Sequence, residues 1–164
     1  FMSKRNEWLV MPPEELLKEC VQEFRKARGH GGQKVNKTSS AVRLTHRETG
    51  LDVTADASRS QKENRLHAVS KLRQRMALEL REEFSPDNGF GLLPEPSLRN
   101  PKRLLWEAVV LDCLSSVGWE PKAAALLLNV PLSRLTRILH QSPDLWQILN
   151  RSREKAGLHP WKGN

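Results

Sequence analysis

The sequence predicts an α+β fold for the first half of the chain, with a small sheet and a long helix packed on it, followed by a small all-α domain. Apolar and polar residues alternate over residues 42–47 and again over 51–56, which is typical of half-buried strands. Residues 66–80 instead repeat apolar positions at helical spacing. Beyond residue 101 every apolar pattern is helical. The chain has 164 residues, enough for two small domains.

The first elements are short. We expect residues 2–12 to be an irregular lead-in. The segment Pro12-Pro13-Glu14-Glu15 indicates the start of a helix, because proline and acidic residues are favoured in the first turn, and this helix should run to about Cys20. Residues 21–27 predict a strand whose Phe24 faces the core. The alternation there is weak, so a continuing helix remains the alternative.

A glycine-rich loop follows, reading Arg28-Gly29-His30-Gly31-Gly32-Gln33. Three glycines among four residues are unsuited to a helix or strand interior but let a backbone approach a ligand closely. No Asp or Glu occurs between Phe24 and Arg47, whereas this stretch holds seven basic residues: Arg25, Lys26, Arg28, Lys34, Lys37, Arg43 and Arg47. We therefore expect the loop to present the neutral side-chain amide of Gln33 to a negatively charged partner.

The two alternating segments predict a hairpin, since Glu48-Thr49-Gly50 between them supplies a turn. Ser60 and Glu63 then form a capping box pattern. The helix that follows should run to about Glu83 and pack across the sheet. Its apolar stripe comprises Leu66, Val69, Leu72, Met76 and Leu80.

Four prolines and two glycines between Ser85 and Pro101 indicate a linker or a fixed connection. The predicted domains are therefore residues 2–84, a linker over 85–101, a helical domain over 102–157 and a tail over 158–164. The helical domain should hold four helices, with bounds near 102–117, 123–128, 132–140 and 143–156.

Within this domain, Ala125, Val130, Leu135 and Ile138 have the apolar spacing of a helix-turn-helix. Arg134 and Arg137 would share one face of its second helix. Two interpretations stay open: a helix that docks on nucleic acid, or a trihelical packing unit with solvated arginines. Domains of this shape also bind proteins.

Composition favours a polyanionic partner, because the net charge is +8 at pH 7. No apolar run approaches the length of a membrane span, so no membrane partner is expected. Cys20 and Cys113 lie far apart in apolar-patterned segments, which predicts free thiols in a reducing cytoplasm. No metal-binding spacing, nucleophile elbow or phosphate-binding loop is present in the sequence, so neither a metal nor another cofactor is predicted.

The loop and its continuation resemble a known family. Gly29-His30-Gly31-Gly32-Gln33 is similar to the GxGGQ loop of the peptidyl-tRNA-hydrolysing domain of bacterial-type class I peptide chain release factors. The segment Asn36 to His46, the pair Thr49-Gly50, and Arg59-Ser60-Gln61 followed by Asn64 resemble the rest of that pattern in order. The resemblance covers about residues 14 to 83.

This resemblance implies a catalytic site made of Gly31, Gly32 and Gln33. The backbone N–H of Gln33 would donate to the oxyanion that forms when water attacks the peptidyl-tRNA ester. The Gln33 side chain would shape the pocket for water, while the two glycines permit the backbone geometry. Ribosomal RNA and the substrate ribose would supply the remaining catalysis. Gln33 is also a candidate for N5-methylation by a glutamine methyltransferase.

The expected partners are large-subunit ribosomal RNA and the peptidyl-tRNA in the P site. Basic and polar side chains around the loop would contact their phosphates, which makes binding sensitive to salt. The predicted RNA-binding residues are Arg28, Lys34, Asn36, Lys37, Thr38, Arg43, Arg59, Ser60, Gln61, Lys62, Asn64 and Arg65.

About thirty residues precede the loop, so a codon-reading domain is not expected, and the long basic tail of short rescue hydrolases is absent from the sequence. The sequence therefore predicts a codon-independent hydrolase of stalled ribosomes, anchored by its helical domain. The main alternative is a ribosome- or RNA-binding factor whose loop no longer hydrolyses. A DNA-binding regulator built on the helix-turn-helix is a third.

Overall fold

The computed structural model describes residues 2–26, 40–86 and 94–163. These ranges contain seven helices and three strands, which confirms the predicted α+β class. The elements are α1 Lys4–Val10, α2 Pro13–Lys18, β1 Cys20–Arg25, β2 Ala41–His46, β3 Asp52–Ala55, α3 Gln61–Glu79, α4 Arg103–Ser116, α5 Pro121–Leu127, α6 Leu132–Gln141 and α7 Pro143–Lys155.

The three strands form one antiparallel sheet in the order β1-β2-β3. In its register Cys20 lies opposite His46 at one end and Arg25 opposite Ala41 at the other. The predicted alternation is confirmed on β2, where Val42 and Leu44 are buried on one face. The strand predicted over 21–27 and the hairpin are likewise confirmed.

Helix α3 packs against this sheet, as predicted. Val69, Leu72 and Met76 are buried, and the ammonium group of Lys71 donates to the carbonyl oxygen of Thr54 at 2.8 Å. The expectation that Leu66 joins the apolar stripe is wrong, since this side chain is 44% exposed. Helical spacing predicts which side chains share a face of the helix. It does not predict whether the sheet extends far enough to cover each of them.

Two expectations for the N-terminal segment are also wrong. Residues 4–10 form α1 instead of an irregular lead-in, and Trp8 and Leu9 on it are buried. The indole N–H of Trp8 donates to Glu19 at 2.7 Å, a contact that local sequence does not reveal. Phe24 does not face a closed core: it lies on the edge strand and is 40% exposed.

The chain divides into two compact units. One comprises Glu7–Met76 and holds the sheet; the other combines the residues up to Asn6 with those from Ala77 onward. The domain boundaries predicted from the sequence stay a prediction. Helix α3 ends at Glu79 and not near Glu83, because the carbonyl oxygens of Ala77 and Leu80 accept guanidinium N–H groups from Arg81 and Arg5.

In the second unit, α4 to α7 enclose an apolar core, and the four predicted helices are confirmed to within a few residues. Asn129 takes a positive φ of 52° at the turn between α5 and α6. The chain after α7 folds back onto this helix, since the backbone N–H of Trp161 donates to the side-chain oxygen of Asn150 at 2.6 Å. Core side chains include Leu111, Leu114, Leu135, Leu139, Leu145 and Leu149. Among the described residues, no helix is long and apolar enough to cross a membrane.

Candidate nucleic-acid interface

Part of the predicted site lies outside the described residues. This applies to the proposed catalytic residues Gly31, Gly32 and Gln33, and to the predicted RNA contacts Arg28, Lys34, Asn36, Lys37 and Thr38. The structure describes both flanks of this segment. Arg25 at the end of β1 lies opposite Ala41 at the start of β2, so both flanks lie at the same end of the sheet.

An open depression of about 340 Å³ lies at this end of the sheet. Its lining comprises Arg25, Lys26, Ala41, Val42, Arg43, Thr54 and Asp56. Three of the four charged side chains are basic, which suits a phosphate more than a cationic ligand.

Asn64, a predicted RNA contact, points inward and is fully buried. Its Nδ2 donates to the carbonyl oxygens of Ser40 at 2.7 Å and Ser58 at 2.8 Å. Its Oδ1 accepts from the Ser58 N–H at 3.0 Å. The side chain thus joins the end of the glycine-rich segment to the connection between β3 and α3.

The residues beside Asn64 face outward. Arg59, Gln61 and Lys62 are exposed at the start of α3. Ser60 caps the helix, since its hydroxyl accepts the N–H of Glu63 at 3.3 Å. The predicted capping box is only half formed, because the Glu63 carboxylate accepts from the Ser58 hydroxyl instead of the Ser60 N–H.

Arg65 lies over the ring of Phe24, with its guanidinium carbon 5.4 Å from the ring centroid. This cation–π contact keeps the guanidinium at the edge of the sheet. It places a basic group of α3 beside the end of β1, within the same region as the exposed residues of α3.

Arg43, another predicted RNA contact, is engaged by acidic neighbours on β1 and β3. Its Nη2 donates to Asp52 at 2.8 Å, and its Nη1 donates to Glu23 at 3.4 Å. The hydrogen bond and charge of Arg43 lower the pKa of the Asp52 carboxyl below its usual range. An incoming phosphate would have to compete with two carboxylates for this guanidinium.

In the second unit, the two predicted docking residues share one carboxylate. Glu95 accepts from Arg137 at 2.8 Å and lies 3.9 Å from Arg134. It also accepts from the buried Arg103 at 3.0 Å. Burial alone would raise the pKa of Glu95, but hydrogen bonds from Arg103 and Arg137 outweigh it and lower that pKa. The structure therefore gives both arginines an intramolecular partner.

Sequence reasoning missed this role of Glu95, because partners 42 residues apart leave no local pattern. It also missed the buried pair of Arg5 and Asp112. A signal for that pair existed: Asp112 is the one charged residue in the apolar run from Ala108 to Trp119, and a charge in such a run needs a partner.

Comparisons with known proteins match the part of the chain that holds the sheet and helix α3. The family model of the RF-1 domain matches residues 13–88. Peptide chain release factor 2 of Thermomicrobium roseum is 55% identical over 61 residues, which are 37% of this chain and 16% of that protein. Peptide chain release factor 1 of Thermotoga maritima is 50% identical over 64 residues, 39% of this chain and 18% of that protein.

Peptide chain release factor 1 of Levilactobacillus brevis is 44% identical over 73 residues, which are 41% of this chain and 20% of that protein. The chain thus spans about a fifth or less of the length of these relatives. The matches confirm the resemblance that the glycine-rich segment predicts. Over residues 13–88, somewhat less than half of its length, this chain is therefore similar to the RF-1 domain, the GGQ domain of class I peptide chain release factors.

Proposed function

We propose that this chain hydrolyses the ester of peptidyl-tRNA on ribosomes, and that it does so independently of the codon, as a rescue factor for stalled ribosomes. The observation that carries the proposal is the tripeptide Gly31-Gly32-Gln33 within the RF-1 domain match. It lies in the segment that joins β1 to β2, flanked by basic residues.

In the proposed reaction, a water molecule attacks the ester carbonyl between the peptide and the terminal ribose of the P-site tRNA. The Gln33 backbone N–H donates to the oxyanion, and aimed donors of this type commonly account for a factor of about 10²–10³ in rate. The Gln33 side-chain amide limits the pocket to a nucleophile as small as water. Ribosomal RNA and the substrate ribose supply the other groups.

The proposed RNA contacts of the described residues lie at the start of α3 and beside β1. Arg59 and Lys62 are exposed at the start of α3, and Arg65 lies over the partly exposed ring of Phe24. Basic groups interleaved with an aromatic ring suit phosphates and bases of RNA. The inward-facing Asn64 is better suited to holding this surface than to contacting RNA.

The proposal of codon independence concerns how the protein is held on the ribosome. Outside the RF-1 match, the described residues 94–163 form a helical unit with its own apolar core. We propose that this unit helps to anchor the protein on the ribosome, with large-subunit ribosomal RNA as the main partner of the GGQ domain. Methylation of Gln33 by a glutamine methyltransferase belongs to the same proposal.

The alternative is a ribosome-binding factor that retains the GGQ fold without hydrolysis. The two functions differ in release and not in binding, so one assay separates them.

The test is peptide release from ribosomes that hold labelled peptidyl-tRNA in the P site, with a stop codon, a sense codon or no mRNA in the A site. We expect equal release in all three conditions and a loss of about 100-fold or more in Gly32→Ala. Release only at the stop codon would contradict codon independence. Tight binding without release in any condition would leave the binding factor.

A further inference from the structure

We propose that Asn64 is a positioning residue for peptide release: its side-chain amide fixes the end of the GGQ segment to helix α3. This inference rests on the proposed function for its catalytic consequence. The anchor itself is a property of the described residues and can be tested without ribosomes.

The geometry uses both amide donors of Asn64. One N–H reaches the Ser40 carbonyl oxygen at 2.7 Å and the other reaches the Ser58 carbonyl oxygen at 2.8 Å. The side-chain oxygen takes the Ser58 N–H at 3.0 Å. An amide is the group that offers two donors and an acceptor in one plane. Turned over, it would set its oxygen against two carbonyl oxygens, so the network admits one orientation.

Burial makes these bonds costly to lose. Asn64 is fully buried, and Ser40 is buried too. A buried carbonyl without a donor retains its desolvation cost, since water does not replace the missing partner. Removal of the amide would therefore favour rearrangements that bring the Ser40 carbonyl to solvent, and this would displace the start of β2.

The anchor acts where the GGQ segment returns to the sheet. Ser40 directly follows that segment and precedes Ala41, whose register partner is Arg25 on β1. Cross-strand pairing holds the two ends together, while Asn64 ties the returning end to α3. An error of about 1 Å in the placement of a catalytic group can cost about 100-fold in rate, so the anchor would affect the chemical step more than ribosome binding.

The same amide also holds the segment that carries Arg59. Ser58 takes part in two of the three hydrogen bonds, accepting one at its carbonyl oxygen and donating one from its N–H, and Arg59 follows it directly. One side chain therefore links Ser40, the residue that follows the GGQ segment, to Ser58, the residue that precedes Arg59. This coupling accounts for a buried asparagine three residues after Gln61 without requiring that it touch RNA.

The test uses Asn64→Asp and Asn64→Ala in the full chain. Asn64→Asp keeps the size and the acceptor for the Ser58 N–H but removes both donors when ionised. Val69→Ala is the matched control, because Val69 lies on the same helix and is buried, and its side chain has no hydrogen-bonding group to offer Ser40. Circular dichroism defines a temperature at which all variants are folded.

In peptide release, we expect kcat to fall at least tenfold in both Asn64 variants while the half-saturating ribosome concentration changes less than threefold. Val69→Ala should retain kcat within twofold. Wild-type kcat in folded Asn64→Ala would overturn the proposal. So would a fall in Val69→Ala as large as that in the Asn64 variants, because it would reflect general destabilisation.

A second readout is independent of hydrolysis. Hydrogen–deuterium exchange of the free protein should be at least tenfold faster over residues 40–43 in Asn64→Ala, and unchanged over 52–55. Unchanged exchange over 40–43 would refute the anchor even if release is lost. If the wild type releases no peptide, the proposed function fails, and this exchange measurement still decides whether Asn64 holds the segment.

Discussion

Asp112 accepts two hydrogen bonds from the guanidinium group of Arg5, at 2.8 Å between Oδ1 and Nη1 and at 2.5 Å between Oδ2 and Nη2. Both side chains are buried. The carboxylate also accepts the Glu82 N–H at 3.0 Å and lies 3.4 Å from Arg81. Residues at the start of the chain are thereby joined to α4 and to the segment after α3.

We expect Asp112→Ala to lower the free energy of unfolding by about 3–5 kcal/mol, because the buried Arg5 loses its counter-ion. Burial already lowers the pKa of Arg81 to about 10, opposed by the charge of Asp112, so a second arginine depends on this carboxylate. Urea denaturation followed by circular dichroism measures the change. Glu154→Ala is the control, because Glu154 is an exposed residue of α7, and its expected effect is within about 0.5 kcal/mol. A loss below 1 kcal/mol in Asp112→Ala would contradict the prediction.

Glu95→Gln should destabilise the helical unit in a pH-dependent manner. The folded-state pKa of Glu95 lies below its ordinary value of 4.5, so its ionised form stabilises the fold above that value. The contribution is lost as the pH falls through the lowered pKa. We expect a deficit of about 1.5–3 kcal/mol at pH 7 that shrinks in acid. Denaturation at several pH values checks this; a deficit independent of pH would exclude the ionised carboxylate as its cause.

Arg59→Ala and Lys62→Ala should weaken ribosome binding and reduce its salt dependence. Each exposed cation that contacts a phosphate contributes about 0.7–0.9 to the slope of log K against log salt. Filter binding over a range of salt concentrations measures both quantities. Lys18→Ala is the control, because Lys18 precedes the end of β1 that lies farthest from the GGQ segment. An unchanged slope in both variants would remove these residues from the interface.

The double variant Arg134→Ala, Arg137→Ala should bind ribosomes with wild-type affinity within threefold. Both guanidinium groups already face the carboxylate of Glu95, which offsets their attraction for phosphate. Filter binding beside the wild type measures the change. A larger loss of affinity, with circular dichroism unchanged, would instead support a docking role for α6.

The two cysteine thiols should be unreactive in the native protein. Burial raises the pKa of Cys20 to about 11 and that of Cys113 to about 12, so both stay protonated at pH 8. A colorimetric thiol reagent should label neither in native protein and both after denaturation. Rapid labelling of either thiol without denaturant would mean that its surroundings open readily.

Local pattern predicted most of the elements and failed in identifiable places. The alternation of β2 and the apolar stripe of α3 were sufficient because burial on one face repeats at the period of the backbone. Helix α1 was missed because its seven residues are mainly polar and gain stability from the contact of Trp8 with Glu19. Phe24 and Leu66 were wrongly assigned to the core because periodicity predicts which way a side chain points. It does not predict whether a neighbouring helix or strand covers that side chain.

The site was predicted in the same uneven way. The GGQ tripeptide and its continuation led to the RF-1 domain, which the family match confirms. The grouping of predicted RNA contacts did not separate Arg59 and Lys62, which face solvent, from Asn64, which is buried. All three lie within the six residues 59–64, so sequence distance cannot distinguish them.

The sequence by itself determined the class of the domain and led to the chemistry proposed for it, because both depend on contiguous residues such as Gly31-Gly32-Gln33 and on periodic apolar positions. Only the tertiary structure decided which polar side chains form hydrogen bonds within the protein. Asn64 bonds to Ser40 across 24 positions, and Arg5 bonds to Asp112 across 107. Such pairings arise when burial removes water and each polar group must find a partner in space.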